Sequence, residues 1–172
     1  FVFSTPLEKR APMQMRPHQE LAFAEVFEEL QNSKRTTLVM PPGTGKTLVG
    51  LRIAESMVAG EKTWTVLALV PGLSLLDQQL RYFVNNTQWP IGSFRILAVG
   101  SGNRVREFNE DEGDLEGMHM DPANMLEPPT TNKEDILQFL NSSAKMKLVF
   151  STYQSSNVVR DAAIEAGANF NI

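Results

Sequence analysis

Cysteine is absent from this chain of 172 residues, and tryptophan, tyrosine and histidine occur only twice each. The lack of thiols excludes a disulfide framework and a thiolate metal site, and it suits a cytoplasmic protein. No apolar run approaches the roughly 20 residues that a bilayer-spanning helix needs, and no signal peptide is visible, so no membrane partner is expected. His18 and His119 have no neighbour at metal-ligand spacing and read as solvated, and the Met118-His119-Met120 cluster offers no credible site. The chain starts at Phe1 rather than at a methionine and reads as excised from something longer.

The residues that are present describe an ordinary globular domain, with 42% hydrophobic and 21% charged side chains. The formal net charge of −4 is unevenly placed. Residues 104–135 hold ten acids against Arg104, Arg106 and Lys133, which leaves 13 bases and 10 acids, of 16 and 20 in all, for the rest of the chain. The acidic balance therefore does not exclude a face that binds nucleic acid, nor does it require one.

The most informative stretch is Met40-Pro41-Pro42-Gly43-Thr44-Gly45-Lys46-Thr47, directly after the apolar run Thr37-Leu38-Val39-Met40. It reads as a strand that enters a glycine-rich turn and leaves as a helix, the arrangement that binds a nucleoside triphosphate. Polyphosphate must be wrapped by backbone N–H groups, and Gly43 and Gly45 remove the Cβ atoms that would obstruct the approach. The helix opening at Lys46 turns its positive end toward the phosphates. Lys46 can reach the β and γ oxygens, and the Thr47 hydroxyl can ligate Mg2+. Met40 replaces the first glycine of the full pattern, at a strand end where a side chain is tolerated. An absence matters equally here. No later apolar strand ends in Asp-Glu, so the pair that would complete the magnesium site and activate water is missing.

Read for organisation, residues 1–15 are a lead-in arm without periodicity. Pro17 suits a helix start, and Phe23, Val26, Phe27 and Leu30 recur at helical spacing. Residues 36–40 are predicted as a short buried strand, and the helix after the loop as running to about Gly60. Trp64–Val70 and Phe94–Val99 are predicted strands, with a helix over Leu73–Val84 between them. Residues 101–132 are polar, acidic and broken by prolines, and read as a surface insertion. A short helix near Lys133–Asn141, a strand at Lys147–Ser151 and a helix to Gly167 follow, and Asn169-Phe170-Asn171-Ile172 looks like the approach to a further strand. Alternating strands and helices predict an α/β fold with a parallel sheet, in which ligands lie at the carboxyl ends of the strands. Asp77 lies in a helical stretch without an adjacent Glu and reads as solvent-facing. Trp64 and Trp89 read as packing residues.

Four segments, taken in order, resemble the first motor domain of superfamily-two helicases and translocases. The likeness is to the branch that holds DEAD/DEAH-box helicases and restriction-enzyme motor subunits. They are Arg16-Pro17-His18-Gln19, the phosphate loop, the run from Val66 through Pro71-Gly72-Leu73 to Gln78, and Val149-Phe150-Ser151-Thr152-Tyr153-Gln154-Ser155-Ser156. The resemblance implies a RecA-like P-loop NTPase domain over residues 16–172, stopping short of its acidic-box strand. It implies ATP with Mg2+ as cofactors, Gln19 on the adenine edge, and Gly43, Thr44, Gly45, Lys46 and Thr47 around the phosphates. Pro71, Leu73, Thr152, Gln154 and Ser155 would line a groove that follows a nucleic-acid backbone, with DNA favoured over RNA. Gly72 stands where relatives often carry a basic or hydroxyl side chain. The resemblance further implies an ATP-driven helicase or translocase whose transition-state arginine comes from a C-terminal motor domain of the same parent chain. Alone, this piece would bind nucleotide without turnover and would leave an apolar sheet edge exposed.

Two other readings compete. An AAA+ ATPase carries a similar loop, but would place an acidic box on one of the strands between residues 65 and 105. A non-catalytic nucleotide-binding module would bind ATP without affinity for nucleic acid.

Overall fold

The structure is a computed structural model that describes residues 11–90, 92–101 and 125–171. Most of the acidic stretch, His119 and the first ten residues of the lead-in arm lie outside the described residues. The chain divides into two compact units, residues 1–60 with 82–91 and residues 61–81 with 92–172.

The first unit is built on α1 (Pro17–Asn32) and α2 (Lys46–Met57). Pro17 opens α1 at the first helical position, where its missing N–H costs nothing. Val26 of α1 packs with Val49 and Ile53 of α2, and Ala22, Phe23, Leu30, Leu38 and Met40 close around them. The segment 36–40 departs from expectation. It joins no ladder among the described residues, and Val39 is 87% exposed while Leu38 and Met40 pack on the helices. The period-two alternation of a strand survives, but only one of its faces finds apolar partners.

α2 carries a buried ion pair that helical spacing alone would assign to a solvated face. Arg52 donates to Glu55 Oε2 at 2.6 Å, and both side chains are less than a tenth exposed. Arg52 also donates to the carbonyls of Asn86 (3.2 Å) and Met13 (2.8 Å). Glu55 Oε1 accepts from the Thr87 hydroxyl at 2.7 Å and from the Gln88 amide at 2.6 Å. The lead-in arm is thereby tied at Met13 to the helix that follows the phosphate loop. Burial raises the Tyr82 phenol above its ordinary range, against the opposing pull of the Arg52 charge. Trp89 packs on Phe83 with ring centroids 5.5 Å apart, as expected of a packing residue.

The second unit holds a parallel sheet of three strands, β1 (Trp64–Val70), β2 (Arg95–Val99) and β3 (Met146–Thr152), in the order β1-β3-β2. α3 (Leu73–Asn86) connects β1 to β2, and its residues from Tyr82 onward belong to the first unit. α4 (Lys133–Asn141) leads into β3, and α5 (Ser156–Ala166) follows it. The α/β class and the parallel sheet are as predicted, and β1 has the predicted bounds. Ile136 and Leu140 of α4 and Val159, Ala162 and Ala163 of α5 pack with Val99 and Val149 in one apolar cluster. Trp64 is buried at the start of β1. Burial lowers the Lys147 ammonium below its ordinary range, and the Leu140 carbonyl accepts from it at 2.5 Å.

β1 lies at the edge of this sheet. Its outer side is engaged at Thr65, whose amide donates to Asn171 Oδ1 and whose carbonyl accepts from the Asn171 amide, both at 2.8 Å. Beyond that point Leu69 is 42% exposed.

Asp77 is not solvent-facing. It is 1% exposed, accepts from Arg81 Nε at 2.6 Å, and accepts from the Leu126 amide at 2.9 Å. The end of the predicted insertion is thus held to the fold. Met125 is buried, and Thr130 exchanges backbone hydrogen bonds of 3.0 Å with Ala98 and Gly100. Asp77→Ala is expected to destabilise the protein by about 1–3 kcal/mol, because the partly buried Leu126 N–H loses the carboxylate that accepts from it. A lower denaturant midpoint with faster amide exchange at Leu126 is the expected result. An unchanged exchange rate would show that the carboxylate does not anchor the segment.

Candidate nucleotide-binding site

The loop before α2 is shaped by backbone chemistry that the sequence foreshadows. The Thr44 amide donates to the Pro41 carbonyl at 3.4 Å, with Pro42 second and Gly43 third in the turn and Gly43 at φ +76°. Proline followed by a glycine of positive φ is the signature of a type II turn. Gly45 follows at φ +84° as the residue that precedes the first turn of α2. Two left-handed residues so close together fold the main chain into a concave turn whose amides can converge on an anion. Leu48 and Val49 donate back to the Gly45 carbonyl and close the first turn of α2 directly behind the loop.

Side chains brace this turn. The Thr44 hydroxyl donates to the Pro41 carbonyl at 2.6 Å. Gln19, 5% exposed, donates from Nε2 to the Thr44 carbonyl at 2.8 Å, and its Oε1 accepts from the Arg16 amide at 2.8 Å. His18 also reaches the Thr44 carbonyl, at 3.2 Å, so it is exposed but not merely solvated. A Cβ on Gly45 would collide with the Gln19 amide nitrogen. The second glycine of the loop is therefore called for by its dihedral, and the Gln19 side chain of α1 lies close against it. Gln19 retains one N–H and one lone pair of its fork, enough for one pair of bonds to a purine edge.

Lys46 is exposed, and its ammonium donates to the carbonyls of Met40 (2.9 Å) and Pro41 (3.0 Å), which leaves a third N–H for a ligand. Thr47 is half-buried one residue further along α2. Gln19, Gly43, Thr44, Gly45, Lys46 and Thr47 thus come together in the first unit.

In the second unit the other group of predicted residues gathers at the carboxyl end of the sheet. Pairing sets Val70 beside Thr152 and Val99 beside Ser151, so all three strands end at one level. Pro71 and Leu73 follow β1, and Thr152 closes β3. The Thr152 hydroxyl donates to Ser155 Oγ at 3.1 Å, and both residues are buried. They shape the 3-10 turn at Tyr153–Ser155, while Gln154 faces solvent. Tyr153, which the sequence reading passed over, is 57% exposed on the same turn.

Comparison with known proteins accords with this arrangement. The profile of the family described as "Type III restriction enzyme, res subunit" matches residues 12–171. The chain belongs to this family. The res-subunit family match covers both units, and the fold agrees with part of a RecA-like domain. One similar structure is the ATP-dependent Type ISP restriction-modification enzyme LlaBIII bound to DNA, with a TM-score of 0.72 and 30% identity over 99% of this chain. Another is a nuclease-deletion mutant of the Type ISP enzyme LlaGI in complex with a DNA substrate mimic, with a TM-score of 0.68 and 30% identity over 92% of this chain. The chain spans only 11% and 14% of those two proteins. No curated protein sequence matches it. Among the described residues, no helix is long and apolar enough to cross a membrane.

Proposed function

We propose that this res-subunit segment is the ATP-binding part of a DNA-acting motor, a helicase or translocase. The observation that carries the reading is the turn from Pro41 to Thr47, with two glycines of positive φ, a lysine and a threonine at a helix start, and Gln19 braced against it. The residues fit a magnesium nucleotide. The first amides of α2 and Lys46 would hold the β and γ phosphates, and the Thr47 hydroxyl would supply one magnesium ligand. Gln19 would meet the base. Among the described residues no cluster of acids or histidines could hold a metal alone, so the ion would be carried largely by the phosphates. Bound nucleotide supplies an electrophilic γ-phosphorus. The chain's own residues orient and neutralise it, while β1, β2 and β3 end in Val70, Val99 and Thr152, none of them an acid that could orient water. This segment is accordingly proposed to bind ATP without sustained turnover.

Support for DNA as the partner comes from the two DNA-bound structures that the chain resembles, and from the strand-end cluster of Pro71, Leu73, Thr152, Gln154 and Ser155. Gln154, the exposed polar group of that cluster, suits contacts to phosphate and sugar without base readout, while the buried Thr152 and Ser155 shape the turn that carries it. The test is fluorescence anisotropy with a labelled single-stranded oligonucleotide across a salt series. The expected affinity falls with salt at a log–log slope of about −0.7 for each phosphate engaged. ATP binding with no DNA binding at low salt would favour a nucleotide-sensing module instead.

A further inference from the structure

We propose that Gly100 is a positioning residue for the nucleic-acid groove, because its missing side chain lets Leu73 and Thr152 close over the backbone at the end of β2. The inference rests on the DNA reading above and adds to it a residue that contacts no ligand itself.

Gly100 is buried directly after β2, and its amide donates to the Thr130 carbonyl at 3.0 Å. Its φ is not in the left-handed region, so nothing in its backbone calls for glycine. Space does. A Cβ at this position would lie 2.6 Å from Leu73 Cδ2 and 3.3 Å from Thr152 Cγ2. Those two side chains come from different strand connections, one after β1 and one at the end of β3. Gly100 is where they meet.

The two neighbours would respond differently to an added methyl group. Thr152 is β-branched, 5% exposed, and held by its hydroxyl to Ser155, so its rotamer has little freedom. Leu73 stands at the first turn of α3, is only half-buried, and presents the far end of a flexible side chain. Leu73 therefore gives way. A methyl group at residue 100 would move a groove residue without opening the core, and the fault would fall on DNA affinity rather than on folding or nucleotide binding.

The experiment compares wild type, Gly100→Ala, Leu73→Val and the double variant in the oligonucleotide assay, with binding of an ATP analogue followed by calorimetry. Gly100→Ala is expected to weaken DNA binding by about tenfold, the equivalent of an overpacking strain near the low end of its usual range. Affinity for the ATP analogue is expected to stay unchanged. Leu73→Val removes the carbon that collides, so the double variant is expected to bind DNA more tightly than Gly100→Ala alone. Wild-type DNA binding with an equal affinity in Gly100→Ala would overturn this inference and leave the DNA reading intact. So would a loss that the second substitution fails to relieve, since that is the mark of general damage. Absence of DNA binding by the wild type would overturn both.

Discussion

Lys46→Ala is expected to weaken binding of an ATP analogue by about tenfold to a hundredfold, the range for losing charge-assisted hydrogen bonds to phosphate. The melting curve should not move. In the structure the Lys46 ammonium is exposed and donates to the carbonyls of Met40 and Pro41, so its removal strands no buried charge. The neighbouring supports stay in place, because Gln19, Thr44 and the two left-handed glycines hold the turn independently of the lysine. Calorimetry on the two proteins separates the outcomes. Equal heats would mean that the loop does not grip a triphosphate, and the functional proposal would fall with it. Steady ATPase activity in the wild-type chain, lost in Lys46→Ala, would instead refute only the claim that this segment binds without turnover.

The second large effect concerns stability. Arg52→Met is expected to destabilise the protein by about 3–5 kcal/mol, the usual consequence of leaving one member of a buried pair without its partner. For a chain of this size that corresponds to a melting temperature lower by roughly 10 °C or more. Three losses coincide, since the carbonyls of Met13 and Asn86 give up a donor while the Glu55 carboxylate stays buried and charged. Arg52→Met combined with Glu55→Gln is expected to recover part of the loss. It removes the stranded charge, yet keeps a carbonyl oxygen for the Thr87 hydroxyl and the Gln88 amide. A single variant that melts with the wild type would show that the network is neutral. A double variant less stable than the single would show that the carboxylate's charge matters more than its acceptor geometry.

Much of this molecule could be read before its coordinates. The loop at residues 41–47 is legible because its requirement is local: two glycines, a lysine and a threonine act through their own backbone and their nearest neighbours. β1 and β3 were legible for a similar reason, as short apolar runs closed by turn residues. The failures share a different cause. Asp77 reads as exposed because its partner, Leu126, lies 49 residues away. The buried pair of Arg52 and Glu55 went unread, because helical spacing does not reveal that Met13, Asn86 and Thr87 will cover it. Val39 reads as buried because an apolar residue in an apolar run normally is, whereas only Leu38 and Met40 found partners.

The amino-acid order alone determined where the chain can turn left-handed, which stretches prefer strand or helix, and which side chains are chemically able to hold a phosphate. Tertiary structure decided which of those side chains meet. It set the strand order β1-β3-β2, buried three of the charged groups, pressed Gln19 against Gly45, and closed Leu73 and Thr152 over Gly100. The physical reason is range: dihedral preference and hydrogen-bonding capacity belong to a residue and its neighbours, whereas burial and close approach depend on segments tens of residues apart that packing alone brings together.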